Sequence, residues 1–422
     1  MPDKEIPMTD PVRVLHFADI HVGMENYGRT DSESGLSTRV VDFLRRMDEM
    51  CQYAADNDVD LVIFAGDAFK TRNPNPTFQR EFAHRVRDLA ALAPVVLLVG
   101  NHDVAPSIMK ASSVEIYNTL AVPNVHVADD YEVGVMNTRR GDVVVGTAPY
   151  PQRSRILSEI PTMGLTIAET DNILQKQLVT ILTELAEEAD QHADLPRILT
   201  GHFTVGGALV SSERTVMLGR DIHIPKEVLA DNRWDYVALG HIHKFQDMTA
   251  GREGVPPVVY SGSMERIDFG EEGDPKGFCW VELARNATKY KFVNLNARPF
   301  VTLSADCRTD LNPTQTVLNL ISRHDLQGAV VRVQLKFSIE SEARFNETVI
   351  RDALRRAGVM FIAVIRKDVE QPARMRLGGS PEGLTPLELL ERYLVTTSVP
   401  EERRIELLEA AEAIFSEDEP EP

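Results

Sequence analysis

The stretch WDYVALGHIHK, residues 234–244, decides how the rest of the chain is read. Tyr236 to Leu239 is an apolar run of strand length, closed by Gly240 and followed at once by His241 and His243. Residues two apart in extended chain point to the same side. A glycine at the strand end lets the backbone turn sharply. Open α/β sheets bind ligands outside the carboxyl ends of their strands. The stretch therefore reads as half of a metal site that needs acidic partners from elsewhere.

Four further segments share its grammar. VRVLHFA at 12–18 ends in Asp19, Ile20 and His21, and VDLVIFAG at 59–66 ends in Asp67. PVVLLVG at 94–100 ends in Asn101, His102 and Asp103, and RILTG at 197–201 ends in His202. A single histidine after a strand is more often a satisfied core or surface residue than a ligand. Five apolar strands that each deliver Asp, Asn or His at the same end are hard to assign to chance.

The ordered set DIH, GD, GNHD, GH, GHIH is similar to the motif set of the calcineurin-like metallophosphoesterases. The longer phrases GHFTVGG, SERTVMLGRDI and DYVALGHIHK resemble the SbcD branch of that family. The resemblance implies an α/β fold of four layers, a metallophosphoesterase β-sandwich flanked by helices. It also implies a small α+β capping domain that orients DNA, a C-terminal helical pair that grips the coiled coil of an SbcC ATPase partner, and a homodimer. By the same carry-over, Asp19, His21, His243 and Asp67 hold one divalent metal, and Asn101, His202, His241 and Asp67 hold a second. Asp67 bridges the two. Oxygen and imidazole donors without thiolate suit manganese, iron or zinc, and Mn2+ is the ion expected here. Two such ions roughly 4 Å apart clamp the attacking and leaving oxygens of a phosphoryl displacement.

His102 reads as catalytic rather than ligating, with Asp103 orienting its ring and raising its pKa. The bland alternative is a hydrogen-bonded structural Asn-His-Asp turn. Some family members carry a phosphate-contacting histidine shortly after GD. Here the loop is GDAFK, which leaves Lys70 or Arg72 for that contact. A lysine pairs with phosphate as a point charge but does no acid–base work near neutral pH. The loop YSGSMERIDFGEE at 260–272 is either a turn or, through Arg266, a contact to a nucleic-acid backbone.

Composition bounds these readings. A chain of 422 residues suggests two or three domains. Cys51, Cys279 and Cys307 have no regular spacing, which argues against a disulfide framework and against a thiolate metal site. The polar, proline-bearing start MPDKEIPMTDP is unlike a signal peptide, and no apolar run approaches the ~20 residues of a membrane span. Both point to the cytoplasm. The net charge of −19 is awkward for a DNA-binding chain, although about half of the excess acid lies after residue 380. A partner that also engages DNA would offset weak intrinsic affinity.

Helices are expected from about 36 to 57, 77 to 92, 107 to 120 and 168 to 190. Further strands are expected near 122–127, 143–148, 258–261, 277–282 and 289–293. The metal domain is read as 1–297. A capping, DNA-binding domain is read as 298–370, with helices at 313–324 and 342–357 and strands at 329–337 and 359–366. A linker occupies 371–383, a helical pair 384–416 and a disordered acidic tail 417–422. Each tail helix carries an apolar face, and a short isolated pair cannot bury both. It packs either on its own domain or on SbcC.

The leading expectation is a manganese-dependent nuclease acting in DNA repair and recombination with SbcC. It would be a 3′-to-5′ double-strand exonuclease and a single-strand or hairpin endonuclease. A small-molecule phosphomonoesterase or cyclic-nucleotide phosphodiesterase, and a non-catalytic assembly protein, are the alternatives. The capping region and helical tail speak against the former, the complete donor set against the latter.

Overall fold

The computed structural model describes residues 10–105, 110–158, 160–161, 163–210, 221–370, 384–397 and 399–417. The expected linker at 371–383, the residues after 417 and most of SERTVMLGRDI lie outside the described residues. The chain divides into two compact units: Met1–Leu303 with His324–Arg332 and Arg351–Val364, and Ser304–Arg323 with Val333–Ile350 and Ile365–Pro422.

Two six-stranded sheets organise the first unit. In one, β1 (Val12–Phe17), β2 (Leu61–Phe64), β3 (Val95–Leu98) and β4 (Val125–Ala128) run parallel and adjacent. Antiparallel β13 (Gly277–Leu283) pairs with β1, and β14 (Lys289–Asn294) lies beyond it. In the other, β6 (Gly141–Ala148), β7 (Arg197–His202), β10 (Tyr236–Gly240) and β12 (Val258–Tyr260) are parallel. Antiparallel β5 (Glu132–Thr138) and β11 (Gln246–Asp247) close its edges. A small ribbon pairs β8 (Thr204–Val205) with β9 (His223–Ile224).

Strand alternation sorts the side chains into three cores. Val12 and Val14 of β1, Leu61 and Ile63 of β2, Ile198 of β7 and Tyr236 and Ala238 of β10 pack between the sheets. Leu15 and Phe17 point the other way, onto α1 (Thr38–Asp56) and α2 (Pro76–Ala90). The second sheet packs its outer face on α5 (Ile167–Asp190). The helices are set by local chemistry. Ser37 and Asn75 cap the first two, and Thr166 with Glu169 forms a capping box on α5. Leu174, Leu178, Leu182 and Leu185 recur every three or four residues and are buried against Leu199, Trp234 and Val237. Each such leucine contributes roughly 2 kcal/mol by leaving water. The result is the expected helix–sheet–sheet–helix sandwich.

His16 sits inside the inter-sheet core, where its ring nitrogens meet the Tyr236 hydroxyl at 3.1 Å and the Leu239 carbonyl at 3.2 Å. Burial pushes its pKa down to about 3, so it is a neutral structural histidine.

Some expected elements change. Within the described part of 107–120 only α3 (Ile116–Thr119) is helical. Ser113 is held to Asp103 instead, through both its amide and its hydroxyl, and the chain turns there. Short helices α4 (Arg153–Ile156) and α6 (Lys226–Leu229) join larger elements.

After residue 297, β15 (Phe300–Asp306), β16 (Val330–Phe337) and β17 (Phe361–Val369) form a three-stranded sheet in that order. α7 (Pro313–Ser322) lies in the second unit, as does α8 (Ile339–Glu342). The helix expected at 342–357 is broken into α8 and α9 (Glu347–Arg356), because Asn346 turns its side chain to the Val349 amide and starts a new helix. In the tail, α10 (Pro386–Thr396) begins at a Thr385–Glu388 capping box and packs on α11 (Glu401–Glu417). Leu394 and Ala411 are buried there, while Tyr393, Ile405 and Ile414 are exposed. No helix among the described residues is long and apolar enough to cross a membrane.

Candidate metal centre

The parallel order of β1, β2 and β3 brings Asp19, Asp67 and Asn101 to one edge of the first sheet. The parallel pair β7 and β10 brings His202, His241 and His243 to the same edge of the second. The backbone there is bent into unusual conformations. Asp19, His21, Asp67 and His241 all have positive φ, at 52°, 49°, 65° and 93°. Non-glycine residues adopt this region at a cost, and such strain clusters at functional sites. The loops hold each other in place: the Asp19 amide donates to the Gly66 carbonyl, and those of Ile20 and His21 to the Asp67 carbonyl. Glycine is required before the donors. A Cβ on Gly240 would lie 2.1 Å from the Ala65 carbonyl oxygen, and one on Gly100 would lie 2.2 Å from Asp67 Oδ1.

The side chains converge. Three groups have donor atoms all within 4.8 Å of one another: Asp19, His21 and His243; Asp19, Asp67 and His202; and His21, Asp67 and His102. Asp67 Oδ2 lies 3.7 Å from His21 Nε2 and 3.4 Å from His202 Nε2. Asn101 Oδ1 lies 3.0 Å from both His202 Nε2 and His241 Nδ1. His21 Nε2 and His243 Nε2 are 3.0 Å apart. All of these but Asn101 and His102 are buried.

The far side of each imidazole decides what the near side offers. His202 Nδ1 donates to the Ala65 carbonyl at 2.6 Å, His241 Nε2 to Asp221 Oδ2 at 2.6 Å, and His243 Nδ1 to Glu271 Oε1 at 2.9 Å. A neutral imidazole has one N–H and one lone pair. The other nitrogen of each ring therefore faces inward, that of His202 on the oxygens of Asn101 and Asp67, that of His241 on Asn101 and that of His243 on His21 Nε2. Lone pairs facing oxygens at hydrogen-bond distance, backed by carbonyl and carboxylate partners, form a donor set that fits divalent cations.

Burial raises the Asp67 carboxyl, but His202 and His21 more than offset this and hold it below the usual carboxylate range. Burial raises Asp19. Burial lowers His202, and Asp67 overrides it, taking the imidazole up to about 9. A cation drawn by the same carboxylate competes with that proton. Burial holds His21 well below its ordinary value.

The outer partners escaped the sequence reading. Asp221 also accepts from the Thr204 hydroxyl at 2.7 Å. Glu271 is fully buried and is paired at 2.8 Å with Lys276, which is itself buried and donates to the His243 carbonyl and to Ser263. Burial raises Glu271, but Lys276 and His243 pull it well below the usual range. Nothing in the spacing of DFGEEGDPK separates such a pair from surface charge.

Two expected site residues are placed differently. Asp103 does not turn to His102. Its carboxylate is fully buried and accepts from the amides of Asp67 at 2.8 Å, Ala68 at 3.1 Å and Gly100 at 3.1 Å, and from the Ser113 hydroxyl at 3.0 Å. Four donors converge on it, so it ties the Asp67 loop to the Gly100 loop. Arg266 does not face outward for a phosphate. Its guanidinium donates to the carbonyls of Glu271, Asp274, Ala297 and Arg298.

His102 donates from Nδ1 to the Lys70 carbonyl at 2.8 Å and from its amide to Asp67 Oδ1 at 2.8 Å. Its ring stands edge-on to His21 with centroids 4.8 Å apart. Arg72 is exposed and reaches the Asn101 carbonyl at 3.4 Å. The Lys70 ammonium makes no hydrogen bond or ion pair with a described residue.

Comparison with known proteins follows the same stretch of chain. The family model of the calcineurin-like phosphoesterases matches residues 12–245. The SbcD component of the nuclease SbcCD from Bacillus subtilis is 26% identical over 298 residues, covering 69% of this chain and 71% of that one. Its namesake in Rhodobacter capsulatus is 26% identical over 289 residues, 65% of this chain and 67% of that one. The one from Escherichia coli K12 is 27% identical over 314 residues, 70% and 71%. The matched span contains all five strand ends, their polar residues and both sheets' central strands, and the chain belongs to the calcineurin-like phosphoesterase family.

Proposed function

We propose that this chain is a DNA nuclease that hydrolyses phosphodiesters with two divalent ions, manganese being the expected metal. The observation that carries this reading is the convergence of Asp19, His21, Asp67, His202 and His243 donor atoms at one edge of both sheets. On this reading Asp19, His21, His243 and Asp67 would hold one ion, and Asn101, His202, His241 and the same Asp67 would hold the other. When bound, such ions neutralise charge on a phosphate and supply a nucleophile at neutral pH. Everything else is done by the chain. Glu271 and Asp221 fix the ring orientation of His243 and His241 through the N–H remote from the cluster. His102 holds its Nδ1 proton on the Lys70 carbonyl. Its Nε2 is then free to take a proton from solvent and pass it to the leaving oxygen. Lys70 and Arg72, on the loop beside it, offer positive charge to the phosphates.

The wider reading rests on the SbcD relatives. Residues 298–370 are the capping region that orients DNA, 384–416 the helical pair that binds an SbcC-type ATPase, and the chain works as a cytoplasmic homodimer in repair and recombination. It cuts double strands 3′ to 5′ and nicks single strands and hairpins. The test is a hairpin-capped duplex incubated with the purified chain, with and without SbcC, in Mn2+ or EDTA. Mn2+-dependent shortening from the 3′ end and opening of the hairpin are expected. Release of phosphate from monoesters with no DNA product under any condition would replace the nuclease by a phosphomonoesterase.

A further inference from the structure

A cavity of about 330 Å3 lies beside the metal centre, on the side of Asn101, His202 and His241. Tyr150 forms the shared wall. Its ring lies 6.0 Å from that of His241 and 6.4 Å from that of His202, and its amide is fixed on the Val99 carbonyl at 3.0 Å. The remaining walls combine apolar surface from Val104 and Pro149 with polar groups from Lys110, Ser112 and Gln152. Those polar groups are unengaged. Ser112 Oγ is buried without a hydrogen-bond partner, and the Lys110 ammonium and Gln152 amide make no hydrogen bond with a described residue. A concave wall of mixed polar and apolar surface, with polar groups the protein itself leaves unpaired, is a form that small-molecule sites take. A buried hydroxyl left unpaired is destabilising unless a ligand or water completes it.

The lining chemistry selects the ligand. Carboxylates of Glu115 and Asp129 also border the cavity and disfavour a second phosphate there, and Arg155 on the same wall is already held by the Asp129 carbonyl and the Asp130 carboxylate. A neutral, planar, hydrogen-bonding ring meets all the other features. It stacks on Tyr150 and turns its polar edge to Ser112 and Gln152, as unstacked bases do in other nucleic-acid sites. We propose that this cleft is a nucleobase subsite, which receives the base of the nucleotide whose phosphate lies at the metal centre. The inference rests on the phosphodiesterase reading of that centre. It assigns the chain a preference for unstacked ends, frayed strands and hairpin loops over stacked duplex, because a base reaches the cleft only after leaving its stack.

The test compares thymidine 5′-monophosphate with 2-deoxyribose 5-phosphate, which lacks the base, by titration calorimetry in Mn2+ on the full chain. The wild type should bind the nucleotide at least about tenfold more tightly. Tyr150→Leu keeps apolar bulk against the histidines and removes the stacking face. Ser112→Val fills part of the cleft without touching the metal residues. Each should bring the ratio close to one with the sugar phosphate unchanged. Equal affinities in the wild type, or a ratio that survives both variants, overturns the subsite. Hydrolysis of bis-p-nitrophenyl phosphate, which has no base, reports separately on the phosphodiesterase reading. Its absence in the wild type sinks that reading, whereas its persistence beside a base ratio of one sinks the subsite alone.

Discussion

Replacing Asp103 by alanine should destabilise the chain more than it disturbs the chemistry of any one histidine. The carboxylate is wholly buried and accepts three backbone amides and the Ser113 hydroxyl at 2.8–3.1 Å. Removing it strands three buried N–H groups, each worth about 1–3 kcal/mol when left unpaired. Partial relaxation and water entry reduce the sum, so a loss of about 4 kcal/mol is expected. Asp103→Asn keeps the shape and one acceptor oxygen but points an NH2 at backbone donors, so about 2–3 kcal/mol should be lost. The assay is urea unfolding in EDTA, followed by circular dichroism, with the midpoint read at constant slope. Bound metal should also fall in both variants, because two of the stranded amides belong to Asp67 and Ala68. If Asp103→Ala unfolds within about 0.5 kcal/mol of the wild type while turnover collapses, Asp103 acts on His102 after all, and the loop-tying role is wrong.

Two other perturbations follow from buried charge. His16 is held near pKa 3 by burial, whereas in the unfolded chain it titrates near 6.5. The unfolded state therefore binds a proton that the folded state refuses, and stability falls by about 1.4 kcal/mol per pH unit as pH drops from 6.5 towards 3. The stability difference between wild type and His16→Gln should carry that slope between pH 6 and 4, and a flat difference contradicts it. Lys276→Met should leave the Glu271 carboxylate buried without its cation and cost about 3–5 kcal/mol. The double variant with Glu271→Gln should cost clearly less than the two singles added, and strict additivity in a double-mutant cycle would disprove the coupling.

The five strand ends were legible because each combines a buried, β-branched-rich run with a polar stop, a pattern that local chemistry alone produces. Their convergence followed from parallel pairing, which puts the carboxyl ends of β1, β2 and β3, and of β7 and β10, along the same edge. What stayed hidden depends on distant packing. Glu271 and Asp221 are ordinary acids until the fold presses them against His243 and His241. Asp103 and Arg266 looked functional beside functional neighbours, yet each satisfies backbone groups exposed by tight loops. β5 was missed because it is an edge strand with mostly half-exposed or exposed positions, so its alternation carries little apolar signal. The helix expected at 107–120 was overridden by the bonds between Ser113 and Asp103.

The proposed nuclease depends on Asp67 serving two metal ions at once. Metal content per chain by mass spectrometry, after loading with Mn2+ and gel filtration, tests it directly in the wild type and in Asp67→Asn. Two ions per wild-type chain are predicted, with at most one weakly held ion in the variant and no hydrolysis of bis-p-nitrophenyl phosphate. Two ions retained by Asp67→Asn, or fewer than two in an active wild type, would contradict the shared-carboxylate site.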